Sequence, residues 1–123
     1  METEIIPNLF VGDLDDARRE FNGMVICVLQ DKPRSEPDRA IWMPFLENGR
    51  ATLDSTAALI DAALKLSLRV LVHCEEGCER APLVVAWFLK TRRGMSLDDA
   101  YELMKTRRPI ISDRRQWLGI FNC

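Results

Sequence analysis

Apolar and polar positions along the chain follow two rhythms. Met24 to Leu29 is a continuous apolar run of strand length, and Val70 to Val72 is a shorter one. Ile41 to Met43 reads as a further strand. Elsewhere the spacing is helical. Leu59, Ile60, Ala63 and Leu64 fall on one face of a helix expected to start at Asp54 or Ser55. Leu97, Ala100, Tyr101 and Met104 do the same behind Ser96 and Asp99, which have capping-box spacing. Asp13 is placed to cap a short helix through Phe21, stopped at Asn22–Gly23. Pro82 suits a first helical turn, and that helix should end at Arg92 or Arg93 with Gly94 past it. Pro109 follows the next helix, and Ser112 is placed to cap a last one through Ile120. The stretch from Asp31 to Arg39, rich in charge and proline, reads as a loop, and Asn48–Gly49 as a turn. Strands alternating with helices predict an α/β domain whose largely parallel sheet is covered on both faces.

A length of 123 residues predicts a single domain over residues 1–123. Composition adds mainly exclusions. Hydrophobic residues at 47% and charged residues at 29% are globular values, which excludes intrinsic disorder. The longest uncharged stretch, Phe21 to Gln30, is far short of the roughly 18 residues of a membrane helix. The acidic start lacks the basic flank of a signal peptide, so a soluble, cytoplasmic protein is expected. A net charge of −2 gives no reason to expect a nucleic-acid partner. Cys27, Cys74, Cys78 and Cys123 lack the paired spacing of a zinc site, and the single histidine, His73, excludes a multi-histidine metal centre.

Chemistry concentrates between Val70 and Pro82. A buried strand ends at His73, seven residues follow from Cys74 to Arg80, and a helix begins. Free amides and the helix dipole at such a terminus make an anion site. Gly77 lets the backbone present its N–H groups as a cradle. The same field, with Arg80, favours the Cys74 thiolate. Arg80 can also fork two oxygens of a tetrahedral oxyanion.

This stretch resembles the His-Cys-x5-Arg signature of the cysteine-based protein tyrosine phosphatase superfamily, with the central glycine at Gly77. The likeness extends over nearly the whole chain in the small dual-specificity form. Ile6 to Gly12 resembles the opening strand of that subfamily. Trp87 to Arg93 and Met104 to Ser112 resemble the helices after the loop. The resemblance implies a mostly parallel sheet of four or five strands with flanking helices. It further implies phosphomonoester hydrolysis on phosphoproteins through a phosphocysteine, with phosphotyrosine foremost and phosphoserine or phosphothreonine as further substrates. No metal or organic cofactor is implied, and a monomer is expected. Cys74 is the implied nucleophile. Glu75, Glu76, Gly77, Cys78, Glu79 and Arg80 form the implied phosphate-binding loop. His73 is implied as a structural donor that fixes the loop, without acting on substrate.

Three departures bear on function. The acid of the family is an aspartate on a loop after a strand. Here Glu47 occupies that place, and Asp54, otherwise read as a helix cap, is its competitor. The residue after the arginine, usually Ser or Thr, is Ala81. Glu75, Glu76 and Glu79 are expected to rim the mouth and to oppose highly charged ligands. Trp42, Trp87 and Trp117 are expected in the core, and Lys105, Arg107 and Arg108 on a solvated helix end. Three rival readings stand beside the phosphatase: a phosphate-binding module with little turnover, a phosphatase for RNA 5′ ends or phosphoinositides, and a thiol oxidoreductase. Cys27 or Cys78 would serve as a disulfide trap for an oxidised Cys74.

Overall fold

The computed structural model describes residues 1–31, 40–45 and 50–121. The loop expected over 31–39 falls almost wholly outside the described residues. So do the Asn48–Gly49 turn and Glu47. The elements in order are β1 (Thr3–Ile6), β2 (Leu9–Gly12), α1 (Leu14–Arg18), β3 (Met24–Cys27), β4 (Ile41–Trp42), α2 (Arg50–Lys65), β5 (Val70–His73), α3 (Arg80–Arg93), α4 (Leu97–Arg107) and a 3-10 segment (Arg115–Phe121). They form the α/β domain that the alternation of strands and helices implies. Among the described residues no helix is long and apolar enough to cross a membrane.

The sheet order is β1-β2-β5-β3-β4. β1 and β2 pair antiparallel, and every other neighbouring pair is parallel. β5 takes the centre because it is apolar at both alternating faces. Val70 and Val72 face the larger core with α2, α3 and α4, whereas Leu71 joins Ala17, Phe21 and Val25 on the α1 side. α3 is the buried helix, with every residue from Ala81 to Leu89 shielded from solvent. It stops at Gly94, whose left-handed φ of 70° lets its N–H reach Leu89 O. The strand–loop–helix unit of β5 and α3 is therefore held on both sides by core packing.

Several local expectations change. Ile6 to Gly12 is not one strand but the end of a hairpin. Asn8 adopts φ 73° at its turn and donates its N–H to Glu4 Oε2 at 2.9 Å. Asp13 does cap α1, in a reciprocal box with Asp16, but the helix ends at Arg18. Phe21 instead stacks edge-on against Phe10. α2 starts at Arg50, so Asp54 lies inside it and is not a cap; its Oδ1 accepts from Trp87 Nε1 at 2.8 Å. Trp87 is buried as expected, but Trp42 on the edge strand is 42% exposed. The last helix is a 3-10 segment from Arg115, and Asp113 rather than Ser112 accepts from its first N–H.

Phe88, fully buried in α3, should report the integrity of this core. Phe88→Ala is expected to cost about 3–5 kcal/mol in urea-induced unfolding.

Candidate active site

Cys74 follows the last residue of β5 and is 4% exposed. Its sulfur accepts the N–H of Ala81, in the first turn of α3, at 3.3 Å. The loop between them has a consistent orientation. Cys74 O meets His73 Nδ1 at 3.2 Å; a carbonyl only accepts, so that nitrogen carries the proton. Glu75 O accepts from Leu14 N–H at the start of α1 at 3.0 Å. Glu76 O and Gly77 O accept from the Arg108 guanidinium at 3.2 and 2.9 Å. Cys78 O accepts from Ser112 N–H at 2.8 Å. Five consecutive carbonyls thus bond to groups outside the loop.

In a trans peptide the C=O and the following N–H point in opposite directions. Turning these five carbonyls outward therefore turns the amides of Glu75, Glu76, Gly77, Cys78 and Glu79 inward. Gly77 makes the bend, with φ 70°. A Cβ there would lie 2.6 Å from Gly12 O, so the close approach of β2 also requires glycine. The result is a nest of donors at a helix N-terminus.

The loop opens on a cleft of about 190 Å³, lined by Leu29 and by Cys74, Glu75, Glu76, Cys78, Glu79 and Arg80. Arg80 is the first residue of α3, and its Nε is buried without a hydrogen-bond partner among the described residues. Its guanidinium lies 5.3 Å from the centre of the Trp117 ring, which stacks on Phe45. The described carboxylates are not equivalent. Glu75 and Glu76 are exposed, while Glu79 pairs with Arg114 at 2.7 Å. Burial first, then the neighbouring Cys74, Glu79 and Glu76, push the Cys78 thiol up. Cys27, in β3, is fully buried beside His73, its register partner in β5.

The structure brings Cys74 and Arg80 to one cleft with four of the expected loop residues and places His73 against the loop backbone. Asp54 does not line that cleft. Lys105 and Arg107 are exposed as expected, but Arg108 is 7% exposed and bonded to the loop, which corrects the solvated-end reading. Its sequence signal was the stripe of α4. Arg108 lies seven residues after Tyr101 and four after Met104, on the face those residues bury.

Comparison with known proteins decides the family. Residues 23–121 match the model described as "Dual specificity phosphatase, catalytic domain". The chain belongs to the dual specificity phosphatase catalytic-domain family. Human dual specificity protein phosphatase 8 is 34% identical over 95% of this chain and 21% of its own length. Human dual specificity phosphatase 28 is 29% identical over 86% of this chain and 67% of its own. The chain thus spans about a fifth of the length of the phosphatase 8 relatives it matches. Among solved structures, a point variant of human DUSP28 superposes with a TM-score of 0.79 at 22% identity, covering 98% of this chain and 95% of that one. A mouse putative dual specificity phosphatase complexed with zinc tungstate gives 0.75 at 26% identity, covering 96% and 82%.

Within this family's loop, Gly77 is the position with least freedom. Gly77→Ala should weaken tungstate binding by about 5- to 150-fold in isothermal titration. Strain of the order of 1–3 kcal/mol falls directly on the cradle, and about 1.4 kcal/mol is tenfold in affinity.

Proposed function

We propose that this domain hydrolyses phosphomonoesters on phosphoproteins, phosphotyrosine foremost and phosphoserine or phosphothreonine as well, through a phosphocysteine. The observation that carries this reading is the convergence of the Cys74 sulfur, the unpartnered Arg80 Nε and the inward amides on one cleft. The tungstate in the mouse relative's structure is an oxyanion of the same tetrahedral class as phosphate, which supports the reading.

The sulfur of Cys74 attacks phosphorus in line with the leaving oxygen. The S–P bond forms as the P–O bond breaks, and Arg80 and the amides hold the three equatorial oxygens. Glu47 gives its proton to the leaving oxygen. Water then attacks phosphorus, Glu47 takes a proton from it, and sulfur leaves, releasing inorganic phosphate. Asp54 is the weaker candidate for the acid, since one of its oxygens is engaged by Trp87. The reading places the domain, over residues 1–123, in the cytoplasm as a monomer, with phosphorylated proteins as its partners.

In the test, the parent hydrolyses an activated aryl phosphate and a phosphotyrosine peptide, is inhibited by vanadate and is indifferent to EDTA. Cys74→Ser is expected to lose turnover but keep tungstate binding, because a serine hydroxyl stays protonated while the amides are untouched. Turnover surviving in that variant would refute the cysteine mechanism. Glu47→Gln should slow phosphocysteine formation from an alkyl phosphate by about 10²–10⁴ while sparing the burst phase on the aryl substrate, whose leaving group needs no proton. Equal losses would move the acid elsewhere.

The phosphate-binding module with little turnover is kept as a second reading because of Ala81. It is fully buried and gives Cys74 one donor, its N–H, but no hydroxyl. Sulfur leaving phosphorus lacks that second donor, worth about 1.5–3 kcal/mol toward a charged group. Rapid mixing with an aryl phosphate should therefore show a burst close to one product per site. Ala81→Ser should raise the steady rate roughly tenfold or more and shrink the burst. No burst, with Ala81→Ser unchanged in rate, would contradict the slow second step.

A further inference from the structure

The most unusual group near the cleft that takes no part in this mechanism is the buried guanidinium of Arg108, at the C-terminal end of α4. Its Nε donates to Gly77 O and its Nη2 to Glu76 O. Its Nη1 donates to Thr3 Oγ1 in β1 at 2.9 Å and to Met1 O. All four partners are neutral oxygens. Among the described residues no carboxylate lies within ion-pair distance of it. A buried charge is ordinarily paired, because leaving it without a counter-ion is expensive. Here the guanidinium is held by hydrogen bonds to neutral oxygens, and the Asp13 carboxylate acts on its charge from beyond ion-pair distance.

We infer that Arg108 is a positioning residue for the oxyanion cradle: its fork fixes two successive peptide planes, aiming the Gly77 and Cys78 amides at the bound phosphate. The inference rests on the phosphate-site reading of the loop and assigns it a device outside the signature motif. Arg108 acts through the backbone and does not touch the substrate. Geometry explains the choice of arginine. Two adjacent carbonyls need two donors at fixed separation, which a planar guanidinium supplies and an ammonium does not. The closeness is steric as well. A Cβ on Gly77 would stand 2.7 Å from Nη2, so loop and guanidinium are fitted to one another. β1 completes the arrangement, because Thr3 and Met1 hold the far side of the fork.

The test uses Arg108→Lys, which keeps the charge and loses the fork, and Arg108→Met, which keeps the length and loses both. Tungstate is the probe, with affinity read by isothermal titration and stability by thermal melting without ligand. Tungstate affinity should fall about 10- to 100-fold in Arg108→Met and by a smaller but clear factor in Arg108→Lys. On an aryl phosphate kcat should fall as well as KM rise, since the amides hold the oxygens through the transition state. Variants that melt lower but bind tungstate with the parent's affinity would show a mere structural staple and overturn the inference. Failure of both variants to fold would overturn it equally. Binding requires no turnover, so the two readings fail separately. A parent that binds tungstate in an Arg108-dependent way yet never turns over refutes the hydrolytic reading alone. An active parent whose variants bind normally refutes this inference alone.

Discussion

The orientation of five peptide planes between Cys74 and Glu79 is the constraint on which the site depends. Each amide reaches inward only because the carbonyl of its own peptide is engaged outside the loop. The donors come from separate places: His73 at the end of β5, Leu14 at the start of α1, Arg108 at the end of α4 and Ser112 beyond it. None of these belongs to the loop. A seven-residue loop has too few contacts of its own to hold five planes against the entropy of the backbone, about 1–2 kcal/mol for each residue fixed. The fold therefore brings three elements together around one turn, and the sheet and α3 anchor its two ends.

Electrostatics around the cleft are divided. The amides, Arg80 and Arg108 favour an anion inside the loop, while Glu75 and Glu76 are exposed on its lining. Glu79 is partly offset by Arg114, which also lies 5.9 Å from the Trp117 ring on which Arg80 rests. Such a site attracts a phosphate held deep in the loop and disfavours further negative charge near the mouth. Because Glu75 and Glu76 are solvated, that effect is screened by salt and acts more on the choice of substrate than on chemistry.

Much of this was legible in the sequence. The apolar run of β5, the spacing of Cys74, Gly77 and Arg80, and the Gly94 stop of α3 are local signals that tertiary structure leaves unchanged. The supports of the loop were not legible in the same way. Arg108 sits beside Arg107 in a basic cluster, and only continuation of the α4 stripe from Tyr101 and Met104 separates the buried arginine from the exposed one. The Leu14 and Ser112 amides are backbone groups, so no side chain records their role. Asp54 was misread because acidic residues cap helices and also sit inside them, and its partner Trp87 is distant in sequence. The residue type of Trp42 points to the core, yet on the short edge strand it stays exposed, with its Nε1 donating to Leu29 O.

The central claim is that the cradle exists before any anion reaches it. Nuclear magnetic resonance of the isotope-labelled domain tests this directly, comparing residues 74–79 without tungstate and at saturation. The amide protons of Glu75, Glu76, Gly77, Cys78 and Glu79 should move downfield together as they gain an acceptor. The carbonyl carbons of Cys74, Glu75, Glu76, Gly77 and Cys78 should stay nearly fixed, because their partners are already in place. Carbonyl signals that are broadened in the free protein, or that move with the amides, would mean that the anion builds the loop and would contradict the account.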